Sequence, residues 1–285
     1  MQIITNIQLK QISAKDSYVV LHPLLRMLRV DQIKEFLRTH LRRHALQNDK
    51  NTMKVILILL LFCQATFAQV NTIQLLGIDE SHLVEQDNYK LTQQTAKAFA
   101  AMQAAALYDG IAIQLVSAHR SFERQQGIWE RKFKQYTADG MTGKQAITKI
   151  LEYSTIPGTS RHHWGTDIDI TDANAPKQNS LLVTEKFDDN GPFAPLHKWM
   201  QANAHRFGFV LVYTNDEKRT GFAYEPWHYS YLPEAKSYLT AYSSREAFAF
   251  FKSVGVVGSN YVNRDFWDAY YTRFVKGINP ELIDN

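Results

Sequence analysis

Cysteine is nearly absent from this chain: Cys63 is the single one in 285 residues. One thiol closes no intrachain disulfide and builds no thiolate cage for a metal. Basic charge is scarce where a nucleic-acid surface would need it. The formal net charge is +4, but residues 1–54 hold ten Lys or Arg against four Asp or Glu, which leaves the rest near −2. No basic patch or stripe stands downstream, so a nucleic-acid partner is not expected. The pronounced apolar run, Val55 to Cys63, is nine residues long and too short to span a bilayer. No serine sits in a nucleophile-elbow pattern, which disfavours a serine triad. Internal repeats and low-complexity tracts are missing as well.

What is present begins with that apolar run. Met53-Lys54 gives it a short basic start, and Ala65-Thr66-Phe67-Ala68 follows it. A cut after Ala68 puts Thr66 at −3 and Ala68 at −1, the pattern of a secretory signal peptide over residues 53–68. The plain alternative is a buried core segment. Residues 1–52 then read as a non-native or unstructured extension, and Cys63 leaves with the signal. A lipid anchor on Cys63 is disfavoured by bulky Phe62 before it. No stable membrane insertion is expected after cleavage, and 45% hydrophobic content suffices for a core without covalent staples.

Downstream, residues 69–88 are mixed and loop-like. Ala-rich Leu91 to Leu107, stopped by Gly110, predicts a helix, and Ile111 to Val116 a buried strand. Helices are expected over Phe122–Tyr136, Lys144–Tyr153 and Phe193–Phe207, and strands over Trp164–Thr171, Phe209–Tyr213 and up to Tyr231. Polar residues 172–192 read as a surface connection or lid. Residues 236–285 read as a helical segment packed on the preceding domain, with Phe266, Trp267, Tyr270, Tyr271 and Phe274 at helical spacing. Helices in runs with strands joined through turns argue α+β with a mostly antiparallel sheet.

Two short clusters carry the chemistry. Ser160-Arg161-His162-His163-Trp164-Gly165-Thr166-Asp167-Ile168-Asp169 puts two imidazoles and two carboxylates into ten residues. Glu225-Pro226-Trp227-His228 adds one of each. A borderline cation such as Zn²⁺ takes imidazole nitrogen and carboxylate oxygen together. A His in the Gly-bounded loop, His162 or His163, can meet a carboxylate on the strand that follows. On that strand Asp167 and Asp169 share a face and Ile168 and Ile170 the other. Asp169 reads as a ligand and Asp167 as a neighbour of the ligands or a substrate contact. A solvated strand face is the plain alternative. Pro226 marks a strand start or bulge, which lets Glu225 turn in beside His228. His228 then reads as a ligand and Glu225 as the base that takes a proton from the attacking water. Arg120, at a strand end, suits a substrate carboxylate or an oxyanion. Ser117, Gln125, Ser160 and Trp227 are further candidate contacts, whereas His82, His197 and His205 read as ordinary histidines.

Together these clusters resemble the zinc D-alanyl-D-alanine carboxypeptidases of the vancomycin-resistance type, grouped with lysostaphin-like enzymes, D-Ala-D-Ala dipeptidases and the hedgehog domain. The family's Ser-x-His-x-x-Gly-x-x-x-Asp is similar to Ser160, His162, Gly165 and Asp169, and its Glu-Pro-Trp-His to Glu225–His228. Its Ser-Gly-Tyr-Arg-Ser, with a Gln four residues on, is similar to Ser117-Ala118-His119-Arg120-Ser121 and Gln125. The resemblance covers about residues 90–232. It implies a central antiparallel sheet flanked by helices, and residues 69–235 as the catalytic domain. It implies one Zn²⁺ per chain held by His162, Asp169 and His228, which favours His162 over His163. Glu225 is implied as base and Arg120 as substrate or transition-state contact. The implied substrate is the D-Ala-D-Ala end of a peptidoglycan stem peptide, in the periplasm or cell envelope of a bacterium. A D,D-dipeptidase, a peptidoglycan endopeptidase, or a zinc-bearing module without catalysis are the alternatives. The chain departs from the pattern at His119 (usually Tyr), Asp167 (usually small), and Val212 and Ser230, where an Arg is often seen nearby.

Overall fold

The structure, a computed structural model, describes residues 70–283. The extension over residues 1–52, the signal peptide over 53–68 and Cys63 lie outside the described residues.

After a one-turn helix, α1 (Thr72–Leu75), the chain forms a hairpin of β1 (Leu83–Gln86) and β2 (Tyr89–Thr92), whose second strand takes Leu91 and Thr92 from the expected helix. Asp87 and Asn88 make its turn with positive φ, a conformation Asp and Asn tolerate. Helix α2 (Gln93–Tyr108) is N-capped by Thr92, whose side chain accepts from the Thr95 amide. Strand β3 (Ile113–Ser117) follows, then helices α3 (Phe122–Ala138), capped by Ser121, and α4 (Gly143–Ile150), opened by a Thr142/Gln145 capping box.

The expected strand from Trp164 starts later. Arg161–Trp164 form a turn of 3₁₀ helix closed by Gly165 at φ +72°, and β4 runs Asp167–Asp172. Glycine is required at 165: a Cβ there would lie 2.3 Å from Leu83 Cδ2, in a backbone conformation other residues resist. After α5 (Ala194–Asn203) come β5 (Phe209–Leu211) and β6 (His228–Tyr231), both shorter than expected because the chain between them is irregular. The four strands order β3-β4-β6-β5, all antiparallel. The fold is therefore α+β, a mostly antiparallel sheet flanked by helices.

Two cores lie against this sheet. The first takes Ile168, Ile170 and Tyr229 from the strands with Phe99 and Met102 of α2 and Leu196 and Met200 of α5. The second takes Trp129 and Phe133 of α3 and Ile147 and Ile150 of α4. It joins them to the last helices, α6 (Leu232–Ala241), α7 (Ser244–Ser253) and α8 (Arg264–Tyr270). Trp267 at its centre is fully buried, and its indole N–H donates to the Ser244 carbonyl. Among the described residues no helix is long and apolar enough to cross a membrane.

Trp267→Ala opens a large cavity in this second core. It is expected to cost about 3–5 kcal/mol in a urea unfolding measurement. A loss below about 1 kcal/mol would mean that the C-terminal helices are not part of the core.

Candidate metal centre

The period-two alternation of β4 sends Ile168 and Ile170 into the first core and turns Asp167 and Asp169 to the other side. The β4–β6 register sets Asp169 opposite His228 and Asp167 opposite Ser230. The 3₁₀ turn before Gly165 folds His162 back over this pair, with the His162 and His228 rings stacked at 4.7 Å between centroids. One donor atom from each of His162, Asp169 and His228 falls within 4.8 Å of the others, and all three residues are buried.

The nitrogens facing this point differ between the two histidines. His162 uses Nδ1–H to donate to the Ala118 carbonyl (2.8 Å), and its Nε2 lies 3.3 Å from Asp169 Oδ2. His228 Nε2 is 3.0 Å from Asp167 Oδ2, and its Nδ1 faces Glu225 Oε2 at 2.9 Å and Asp169 Oδ1 at 3.9 Å. Three carboxylates thus converge on one imidazole. Burial works against the charged imidazole, yet hydrogen bonds to Asp167 and Glu225 raise His228 to about 10. Burial likewise opposes the Asp169 anion, but His162 holds it below the ordinary carboxylate value.

This donor set fits a cation. Two imidazole nitrogens and one carboxylate, with each imidazole's other nitrogen already engaged, make a three-ligand open site. Asp169 Oδ1 is buried with no hydrogen-bond partner, an expensive state for a carboxylate oxygen that a metal would relieve. Glu225 is only about a quarter exposed, and Pro226 starts the turn that carries it to His228.

Arg120 leaves the end of β3, where a register shift between Leu115 and Ser117 re-aims the chain. The two site loops are tied there: the Arg120 amide donates to the His162 carbonyl (3.0 Å), and His163 Nδ1–H donates to the Arg120 carbonyl (2.6 Å). Gln125 holds the guanidinium at Nη1 (3.0 Å), which feels both Asp169 and Glu225. His163 itself is wholly enclosed, its Nε2 accepting from the Gly158 amide at 3.1 Å. It is part of the scaffold, and a side chain at Gly77 would strike it.

Three of the candidate contacts are enclosed by the protein. Asp167 is 0% exposed and saturated by protein donors, so it faces His228 and not a ligand. Gln125 is 0% exposed and spans Arg120, Ser154 and Thr155, which makes it a support for Arg120. Ser160 is 2% exposed, and its carbonyl accepts from the His163 amide. Trp227 is half-buried with its ring against Phe187 in the first core. Ser117 stays half-buried, paired with Asp169 across the strands. Among the histidines set aside, His82 reaches the Trp164 carbonyl and His197 bridges the Phe187 carbonyl and the Tyr224 hydroxyl, both ordinary roles.

Sequence reasoning missed Arg161 and Tyr213. Arg161 Nε is 2.8 Å from Asp167 Oδ2, and Tyr213 packs edge-on against His228 at 5.2 Å. A buried Asp beside two imidazoles calls for a cation, which is the signal that could have found Arg161. Nothing in local spacing points to Tyr213.

The family profile of VanY, D-alanyl-D-alanine carboxypeptidase, matches residues 88–234, about half of the chain. The chain belongs to this family. A D-alanyl-D-alanine carboxypeptidase of Enterococcus faecalis (strain ATCC 700802 / V583) is 34% identical over 129 residues, 45% of this chain and 43% of that protein. The bifunctional D-Ala-D-Ala dipeptidase and D-Ala-D-Ala carboxypeptidase VanXYC of Enterococcus gallinarum is 31% identical over 121 residues, 42% of this chain and 56% of that protein. The chain therefore spans about half the length of these relatives. Among solved structures, VanYB in complex with D-Alanine-D-Alanine aligns over 64% of this chain and 88% of that one, at 25% identity and a TM-score of 0.43.

His119, where the family pattern has Tyr, is enclosed beside Glu80, and burial lowers it to about 4. The unfolded chain, titrating near 6.5, binds more protons between those values. Stability is complete above about 6.5 and falls as the pH drops toward 4. His163, lowered to about 3 by burial, acts in the same direction. A melting-temperature series from pH 7 to 4 on His119→Tyr and the parent is expected to show the parent losing more on acidification. Parallel curves would contradict it.

Proposed function

We propose that this chain is an exported zinc metallopeptidase that removes the terminal D-Ala from peptidoglycan stem peptides ending in D-Ala-D-Ala. The observation that carries the reading is the His162–Asp169–His228 donor cluster with Glu225 at its edge, inside the segment matched by the family. The relatives' named activity on D-Ala-D-Ala supplies the substrate class. Export rests on the leader pattern over residues 53–68.

In this reading His162 Nε2, Asp169 and His228 Nδ1 hold one zinc ion. When bound, zinc supplies a Lewis acid that polarises the scissile carbonyl and lowers the pKa of water toward about 7. Glu225 does the proton work: its carboxylate takes a proton from the attacking water and gives it to the departing D-Ala amine. Arg120, fixed by Gln125, offers its guanidinium to the substrate's terminal carboxylate. The two site loops, locked by the Arg120–His162 and Arg120–His163 bonds, keep that cation aligned with the base. A D,D-dipeptidase uses the same residues, and VanXYC, named for both activities, keeps that reading alive as the second one.

A synthetic pentapeptide ending in D-Ala-D-Ala, read by mass with and without chelator, separates these. Release of one alanine that chelator abolishes is expected. Release of the intact dipeptide favours the second reading, and no release overturns both. Glu225→Gln is expected to cut turnover by about 10²- to 10⁴-fold while zinc content stays at the parent level. Full activity in that variant would remove the assigned base.

A further inference from the structure

Behind His228, on the side away from Glu225, lies a closed polar cluster that the metal site does not use directly. Asp167 sits at its centre with both oxygens engaged. Oδ2 accepts from Arg161 Nε (2.8 Å) and faces His228 Nε2 (3.0 Å). Oδ1 accepts from Ser230 Oγ (2.6 Å), Thr166 Oγ1 (2.9 Å) and Arg161 Nη2 (3.3 Å). Arg161 Nη2 also donates to Ser230 Oγ at 2.7 Å, and the guanidinium carbon lies 4.6 Å from the Trp164 ring centroid. Arg161, Asp167 and Ser230 are all at most 3% exposed.

Such a cluster is costly to bury, and a surface-independent fold gains little from it: apolar residues of the same volume commonly serve as well. It touches the site through the Asp167–His228 contact. With Nε2 given to a fixed carboxylate, the ring turns its other nitrogen, Nδ1, toward Asp169 and Glu225.

We infer that Asp167, held by Arg161, Ser230 and Thr166, is a positioning residue that fixes the ring orientation and tautomer of His228 so that Nδ1 is delivered to the metal. The inference rests on the metal-site reading above. Its parts are specific to this chain's departures from the family pattern, because Asp167 and Ser230 are two of the positions where the chain differs. Arg161 completes the set: its guanidinium meets both Asp167 oxygens and Ser230 Oγ from a position closed to solvent.

The test uses the full chain and two variants. Asp167→Asn keeps an acceptor for His228 but leaves Arg161 buried without its counter-charge, so it risks misfolding. The double variant Arg161→Met with Asp167→Ala removes both charges together and is the safer probe. Far-UV circular dichroism of the metal-free proteins establishes that each folds. Two readouts follow. The first is zinc affinity by competition with a chromophoric chelator, where the double variant is expected to bind about 10- to 100-fold more weakly. The second is the His228 Nε2–H proton in ¹⁵N-edited NMR spectra of the metal-free protein. It is expected to be protected from exchange in the parent and lost in the double variant. A cobalt(II)-loaded sample should also show a changed visible spectrum, which a merely structural pair would leave alone. A folded double variant with parent-like zinc affinity and an unchanged cobalt spectrum overturns the inference. A parent chain that takes up no zinc overturns the metal reading instead. In that case the Nε2–H proton alone decides for or against the Asp167 contact.

Discussion

Everything in this site depends on one buried imidazole with too many carboxylates around it. His228 is 4% exposed and faces Asp167, Asp169 and Glu225. In a low-dielectric interior three anions on one ring are tolerable only with compensating positive charge. Arg161 compensates Asp167 from behind. Glu225 reaches toward solvent. Asp169 is left with one oxygen unpartnered, and the cation that would satisfy it is the one that His162 and His228 are oriented to share.

The fold supplies this convergence through short, rigid pieces. Strands β4 and β6 are among the most completely enclosed parts of the chain, so their register fixes Asp169 against His228 with little freedom. Gly165 turns the 3₁₀ segment so that His162 comes over them. His163 binds that segment to the loop carrying Arg120, and Thr92, whose amide donates to the Gly165 carbonyl, binds the hairpin to it as well. A regular sheet with a rigid loop on one side holds ligands better than a mobile loop would.

Much of this was legible in the sequence, for a physical reason. The alternation Asp167-Ile168-Asp169-Ile170 encodes which face is core, and Pro226 encodes the turn that brings Glu225 beside His228. Those two clusters point to Asp169, His228 and Glu225 because their geometry is local to one strand and one turn, whereas the choice of His162 over His163 came from the family resemblance. Of the hairpin over residues 83–92 only a possible short strand or turn before Asn88 was read, since its signal is weak: mixed polarity and an Asp-Asn turn without glycine. The strand boundaries at 164 and 213 were set too generously because a 3₁₀ turn and an irregular loop keep the same residue types as a strand. Gln125 and Ser160, read as candidate contacts, are enclosed, and of the two readings of Asp167 the geometry favours the neighbour of the ligands, because spacing marks a residue as near the site without saying whether it faces the cavity or the scaffold. Burial decides that, and burial is a property of the whole packed domain.

The most direct measurement of the central claim is a crystal structure of the zinc-loaded chain with diffraction data across the zinc absorption edge. One anomalous peak per chain is expected, within bonding reach of His162 Nε2, Asp169 and His228 Nδ1, with Glu225 beside it and not bound. A peak on His163 or Asp167, a peak bound through His228 Nε2, or no zinc at this point would contradict it.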